Sequence, residues 1–183
     1  MVSTDLLRQF DFFQGFSEEQ IKKLADIATE ESYKAGFQLW RKGDPAKTFY
    51  LVEGGKVVLS MENYMGTVRP PAYLVEGGKA GMSMETYMGT ARPPAQVTVD
   101  IITKGDAMGW SAVIEPYVYT LGARCIADSK AIAFDGAKLR ELLNKDIKLG
   151  YAFMHATAKV IATRLTHTEI ILIGERGLLY NDR

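Results

Sequence analysis

Between residues 36 and 106 glycine acts as punctuation, at Gly36, Gly43, Gly54-Gly55, Gly77-Gly78 and Gly105. The runs between these marks are short and rich in β-branched and aromatic residues: 37–40, 48–52, 57–61 and 97–102. Branched and aromatic side chains fit a pleated, half-buried surface, and glycine supplies the positive φ that a tight reversal needs. With further runs at 123–127 and 131–134, the pattern predicts antiparallel strands in a sandwich or barrel.

Helical periods flank this stretch. Ser17-Glu18-Glu19-Gln20 has the form of a capping box, which predicts a helix start. Ile21, Leu24, Ala25 and Ala28 then make one apolar stripe, with Lys22, Lys23, Asp26 and Glu30 facing elsewhere. Leu6, Leu7, Phe10, Phe12 and Phe13 predict a shorter apolar helix ending near Gly15. After the strands, 138–144 predicts a short helix and Asp146 opens a long one, placed at 146–173. About 25 residues of that helix span about 38 Å. Ile147, Tyr151, Met154, Ala158, Ile161, Leu165 and Leu172 lie on one side of it. The expected fold is α+β: an antiparallel, jelly-roll-like β-roll flanked by N-terminal helices and a long C-terminal helix.

The chain has 183 residues at 47% hydrophobic content, enough for one core, so a single domain over 1–183 is expected. Lys+Arg and Asp+Glu balance at 22 each, which gives no long-range pull on nucleic acid or an anionic membrane. One cysteine, Cys125, excludes an intrachain disulfide framework. Flanked by Ala123 and Ala127 on one strand face, it reads as a small core residue. No apolar run reaches the ~18 residues of a membrane span, and the start lacks a basic segment followed by an apolar one. A soluble, cytoplasmic protein is expected.

The stretch LLRQFDFFQGFSEEQIKKLADIATEESYKAGFQLWRKGDPAKTFYLVEGGKV resembles the start of the cyclic-nucleotide-binding domain of the catabolite-activator/FNR superfamily. The points of likeness are the N-terminal helix pair, Gly36 before the first strand, the Gly43-Asp44 turn and the Gly55-Lys56 turn. ITKGDAMGW resembles the approach to that family's phosphate-binding cassette, and ARCIADSKAIAFDGAKLRELL its closing strand and first C-terminal helix. The resemblance implies a pocket in which a backbone nest and an arginine hold a cyclic phosphate while a cassette glutamate accepts from the ribose. Laid on that pattern, Gly105-Asp106-Ala107-Met108-Gly109 matches, but Trp110 stands at the glutamate and Leu121 at the arginine. An unpaired anion there costs several kcal/mol to desolvate, so cyclic AMP and cyclic GMP should bind poorly. Arg124 is the one nearby cation that a shifted loop with Glu115, Pro116 and Gly122 could bring in.

Two readings follow for the pocket. In one it is filled by its own side chains. In the other Met108, Trp110, Val113 and Leu121, with Gly109, Ser111, Gly122, Ala123 and Arg124 around them, suit an aromatic or other apolar effector. Either way the resemblance implies a regulatory domain and not an enzyme. Gly109-Trp110-Ser111 starts like a nucleophile elbow but lacks the second glycine and the strand-then-helix context. His155 and His167, on one helix, stand about 18 Å and about 120° apart and cannot share a metal. A single-histidine haem link, as in some gas-sensing relatives, is the alternative for either; otherwise no cofactor is expected, and no cysteine cluster for an iron–sulfur centre exists. The family's DNA reader needs ~70 residues after the long helix, and only about ten remain, so no DNA-binding domain is expected. A homodimer or a protein partner is expected instead, through Tyr151, Met154, Ile161 and Leu165, which exceed what one roll needs to cover.

The chain also says one thing twice. YLVEGGKVVLSMENYMGTVRPPA at 50–72 is followed at once by YLVEGGKAGMSMETYMGTARPPA at 73–95. They differ at Val57/Ala80, Val58/Gly81, Leu59/Met82, Asn63/Thr86 and Val68/Ala91. Val57-Val58-Leu59 is the better strand by about 1 kcal/mol. Pro71 precedes the second copy, where proline blocks a central strand. Residues 50–61 are therefore expected in the native slot, with 73–94 extending a hairpin as a second ribbon or a loop. A tandem duplication without a role and a bistable or strand-swapping element are both compatible with that arrangement.

Overall fold

The computed structural model describes residues 2–63 and 95–180, with the backbone alone for 62, 63, 95, 96 and 171–180. Helix α1 (Thr4–Leu7) is followed by a 3-10 turn, Asp11–Phe13. The single helix expected here is thus in two pieces. Phe10 is extended (φ −92°, ψ 126°), which lets Phe12 and Phe13 turn inward and become buried. Ser17 caps α2 (Glu18–Ile27): its hydroxyl accepts from the Gln20 amide, and the Gln20 side chain accepts from the Ser17 amide. Ile21, Leu24 and Ala25 are buried as the stripe predicts. The helix stops one residue before Ala28, which begins a strand.

That strand, β1 (Ala28–Tyr33), has no apolar alternation to announce it. It forms because its backbone pairs with β8 (Ser129–Asp135), from Ala28 opposite Phe134 to Tyr33 opposite Ser129. A waiting ladder of amides and carbonyls here outweighs local propensity. Five further strands fall on the predicted runs: β2 (Gln38–Trp40), β3 (Thr48–Gly54), β4 (Val57–Asn63), β5 (Ala95–Ile102) and β7 (Gly122–Cys125); the two-residue β6 (Ala107–Met108) is not among those runs and forms by pairing with β3. They form two four-stranded antiparallel sheets, in the orders β1-β8-β3-β6 and β2-β7-β4-β5.

The first repeat copy supplies both β3 and β4. Between them Gly55 sits at φ 90°, and a Cβ there would meet the Asp128 carbonyl oxygen at 2.4 Å. Only glycine fits that reversal. The β4–β5 ladder runs from Val57 opposite Ile102 to Asn63 opposite Ala95, the last residue of the second copy. Residues 73–94, expected to extend this hairpin, lie outside the described residues.

Asp135 caps α3 (Gly136–Lys145) by accepting the Lys138 amide at 2.9 Å. Asp146 accepts the Leu149 amide at 3.0 Å and starts α4 (Ile147–Tyr180), whose 34 residues exceed the expected length and span about 51 Å. Lys23 reaches Asp146 at 2.9 Å and ties α2 to this junction. The inward stripe of α4 is Leu149, Phe153, Ala156 and Thr157, all buried, and then half-buried Val160. The stripe read from the sequence is the other one: Ile147 is 76% exposed, Tyr151 74% and Leu165 59%. Phe153 anchors the helix, with its ring 5.0 Å from Phe12 and 5.1 Å from Phe49. Among the described residues no helix is long and apolar enough to cross a membrane.

Candidate ligand site between the cassette and the C-terminal helix

The segment from Thr103 to Ala112 is built by backbone constraints. The Thr103 amide and hydroxyl both donate to Asp106 Oδ2, at 2.8 and 3.1 Å, which closes the turn at Gly105 (φ 96°). Ala107 and Met108 then pair with Leu51 and Tyr50 as β6. Gly109 turns the chain at φ 78°, and a Cβ on it would lie 2.6 Å from the Thr48 carbonyl oxygen. Trp110–Ala112 follow as a 3-10 turn. Helices hold both ends of this cassette. Arg140 of α3 donates to the Ala112 carbonyl at 2.5 Å, and Arg164 of α4 donates through Nη2 to the Ala107 carbonyl.

Inside the roll, aromatic rings occupy the space beside the cassette. Trp40 stacks on Tyr119 at 4.3 Å and faces Tyr50 at 5.7 Å, each pair with an interplanar angle of 15°. The Trp40 indole donates to the Leu121 carbonyl at 2.9 Å, and the Tyr119 hydroxyl donates to the Thr48 carbonyl at 2.9 Å. Burial pushes that hydroxyl up to about 12. The remaining hollow, bordered by Gly109, Trp110, Ser111, Tyr119 and Leu121, measures about 30 Å³. That is room for about one or two waters.

Just outside, between the roll and α4, lies a cavity of about 470 Å³. Leu59, Val99, Leu121, Ile161 and Leu165 give it aliphatic walls, and Trp110 and Arg164 stand at its inner end. Arg164 sits about three helical turns beyond Phe153, on the same inward face. Its side chain is 16% exposed, its Nε lies 3.2 Å from Asp100 Oδ2, and its guanidinium carbon is 4.6 Å from the centre of the Trp110 ring. Burial pulls the guanidinium below the usual arginine value, against the opposite pull of Asp100 and Asp106. Its Nη1 is shut off from solvent and has no hydrogen-bond partner among the described residues. A second groove of about 680 Å³ runs along α4 between Phe12, Phe16, Ile101, Tyr151 and His155.

Of the residues singled out from the sequence, Gly109, Trp110, Ser111 and Leu121 come together at the small inner hollow. Met108, Gly122 and Ala123 are packed into the strands around it. Val113 faces away, toward Tyr117, Arg140 and Leu143. Arg124 is exposed between buried Ala123 and Cys125, so strand alternation points its guanidinium out of the roll. Ile161 and Leu165 border the cavity of about 470 Å³, Leu165 remaining largely exposed, and Tyr151 and Met154 are exposed. Cys125 is fully buried, and burial raises its thiol. His155 and His167 are exposed on α4, and among the described residues no cluster of three or more acidic, histidine or cysteine side chains could hold a metal.

The sequence patterns do not mark Trp40, Tyr119, Asp100 or Arg164 as site residues. For Arg164 the signal is the eleven-position spacing that puts it beneath Phe153, obscured by its charge and by the competing apolar stripe on the same helix.

The fold superposes on solved structures. A candidate cyclic-nucleotide-binding protein from Geobacter metallireducens aligns with a TM-score of 0.67 at 26% identity, covering 90% of this chain and 99% of that one. The chain has the fold of a cyclic-nucleotide-binding β-roll. The catabolite activator protein of Thermus thermophilus aligns with a TM-score of 0.60 at 18% identity, over 88% of this chain and 61% of that one. The regulatory domain of Toxoplasma gondii PKA, crystallised with cAMP, gives a TM-score of 0.60 at 18% identity, over 87% and 48%. By sequence, 58 residues are 28% identical to a cGMP-dependent protein kinase of Caenorhabditis elegans, egl-4. They make up 32% of this chain, and the match spans 7% of that kinase. No protein-family model matches the chain.

Proposed function

We propose that this β-roll is a non-enzymatic regulatory sensor domain whose cassette does not take cyclic AMP or cyclic GMP, and that its output is carried by α4. The carrying observation is the content of the inner hollow. Trp110 and Leu121 stand where the resemblance calls for a carboxylate and a guanidinium, and the rings of Trp40 and Tyr119 leave about 30 Å³. The cation that borders it among the described residues, Arg164, is already paired with Asp100, so a cyclic phosphate seated there would be a desolvated anion without a free counter-charge. The route for output is the pair of arginines that join cassette carbonyls to α3 and α4. A shift of the cassette by a fraction of an ångström must move one or both helices or break these bonds.

Calorimetric titration with cyclic AMP and cyclic GMP tests the reading. No heat of binding up to about millimolar nucleotide is expected, and micromolar affinity would overturn it.

The exposed stripe of α4 supports a second element, pairing of two copies through this helix. Ile147, Tyr151, Met154, Leu165 and Ile170 are 41–76% exposed, more apolar surface than a solitary helix face usually carries. Light scattering after size exclusion distinguishes one chain of 20.3 kDa from two. The tandem copy we read as a surplus insertion in the β4–β5 connection, because the first copy already fills β3 and β4.

A further inference from the structure

The cavity between the roll and α4 is large enough for a ligand, at about 470 Å³, within the range of small-molecule sites. Its walls are mostly aliphatic, with His167 and Thr168 the polar residues besides Asp100 and Arg164, so most of the body of any occupant must be apolar. Its inner end is polar in one specific way. The Arg164 guanidinium carries three kinds of nitrogen, and two are used: Nε by Asp100 and Nη2 by the Ala107 carbonyl. Nη1 alone has no acceptor among the described residues. A buried donor without a partner carries a desolvation penalty that an arriving acceptor removes.

The charge of that acceptor follows from the neighbours. Asp100 already neutralises Arg164, and Asp106 adds a second negative charge to its surroundings. A carboxylate or phosphate entering the cavity would make the site net negative in a poorly hydrated space, which is costly. A neutral carbonyl oxygen satisfies Nη1 without adding charge.

We propose that this cavity binds a neutral, largely apolar small molecule bearing a single carbonyl acceptor, which pairs with Arg164 Nη1. This rests on the sensor reading above and names its class of ligand. Because Nη1 is closed off from solvent in this structure, pairing turns the guanidinium off the Trp110 face and into the cavity. That movement loosens the contact between the cassette and α4. Beyond Val160, Ile161 and Arg164 are the only residues of α4 through Ile170 that are not exposed. The ligand would therefore act at the last firm attachment of the helix.

The test uses the full chain and three probes of matched length, 2-decanone, decanoate and decane, titrated by calorimetry or by tryptophan fluorescence. 2-Decanone is expected to bind at least about tenfold more tightly than decanoate or decane, the worth of one hydrogen bond to a charged donor. Arg164→Lys keeps the charge opposite Asp100 but has no second nitrogen, and should erase the preference for ketone over alkane. Val99→Trp, which fills the cavity, should abolish binding of all three and covers the case in which the arginine variants fail to fold. Equal or tighter binding of decanoate would overturn the proposal, as would binding unaffected by Val99→Trp. No binding of any probe, with light scattering showing a dimer broken by Leu165→Glu, would assign the cavity to a second copy and also overturn it. These outcomes leave the sensor reading standing; only binding of a cyclic nucleotide removes that.

Discussion

Replacing Phe153 by alanine should separate the two faces of α4. Phe153 is fully buried, and its ring lies 5.0 Å from Phe12 and 5.1 Å from Phe49, so it joins the helix both to the N-terminal turn and to β3. Truncating a buried phenylalanine costs about 3–5 kcal/mol through lost transfer energy and the cavity left behind. For a chain of this size each kcal/mol lowers Tm by about 2–4 °C, so a fall of about 6–20 °C is expected. Leu165, 59% exposed where it borders the cavity of about 470 Å³, should cost under about 0.5 kcal/mol when replaced by alanine in dilute protein. Scanning calorimetry and urea unfolding at two protein concentrations, tenfold or more apart, measure both. If α4 pairs two copies, the Leu165→Ala effect grows with concentration while the Phe153→Ala effect does not. A Phe153→Ala loss below about 1 kcal/mol, or equal losses at both positions, would refute this assignment of the helix faces.

Gly55→Ala should cost about 3 kcal/mol by urea unfolding, from the left-handed backbone and the 2.4 Å approach to the Asp128 carbonyl; a loss under about 1 kcal/mol would mean the turn is not held as described. The Asp146 carboxylate is held below its usual range first by the hydrogen bond from Lys23 and then by the Leu149 amide, while Lys23 is raised to about 12. A depressed folded value stabilises above the unfolded value of about 3.9 and is lost as pH falls through the folded one. Asp146→Asn should therefore be less stable than the parent at pH 7, with the difference closing below about pH 4; a gap independent of pH would contradict the pairing. Deleting residues 73–95 leaves Ala72 before Gln96, the same junction as Ala95-Gln96, and should give a folded chain shifted by about 1 kcal/mol. Loss of cooperative unfolding would show that the second copy is required.

The parts of this fold that are legible in the sequence are those governed by local rules. The Ser17–Gln20 capping box, the glycine at the β3–β4 reversal and the strands between glycine marks depend on residues within a few positions of one another. β1 was not legible, since Ala28–Tyr33 becomes a strand only through β8, about a hundred residues on. Two apolar stripes run along α4, and periodicity alone cannot say which faces the core; that choice is made by where Phe12 and Phe49 lie. At the candidate site, the uncharged character of Trp110 and Leu121 could be read from the residue types. The arrival of Arg164 could not, because a cation on an inner face is intelligible only once Asp100 and the Trp110 ring are known to meet it.

A crystal structure grown in millimolar cyclic AMP would test the central claim most directly. The expected density shows Trp40, Tyr119, Trp110 and Leu121 packed as they are here, Arg164 between Asp100 and the Trp110 ring, and no nucleotide against the 109–112 turn. A cyclic phosphate seated on the Gly109–Ala112 amides, with Arg124, Arg164 or another cation against it, would contradict it.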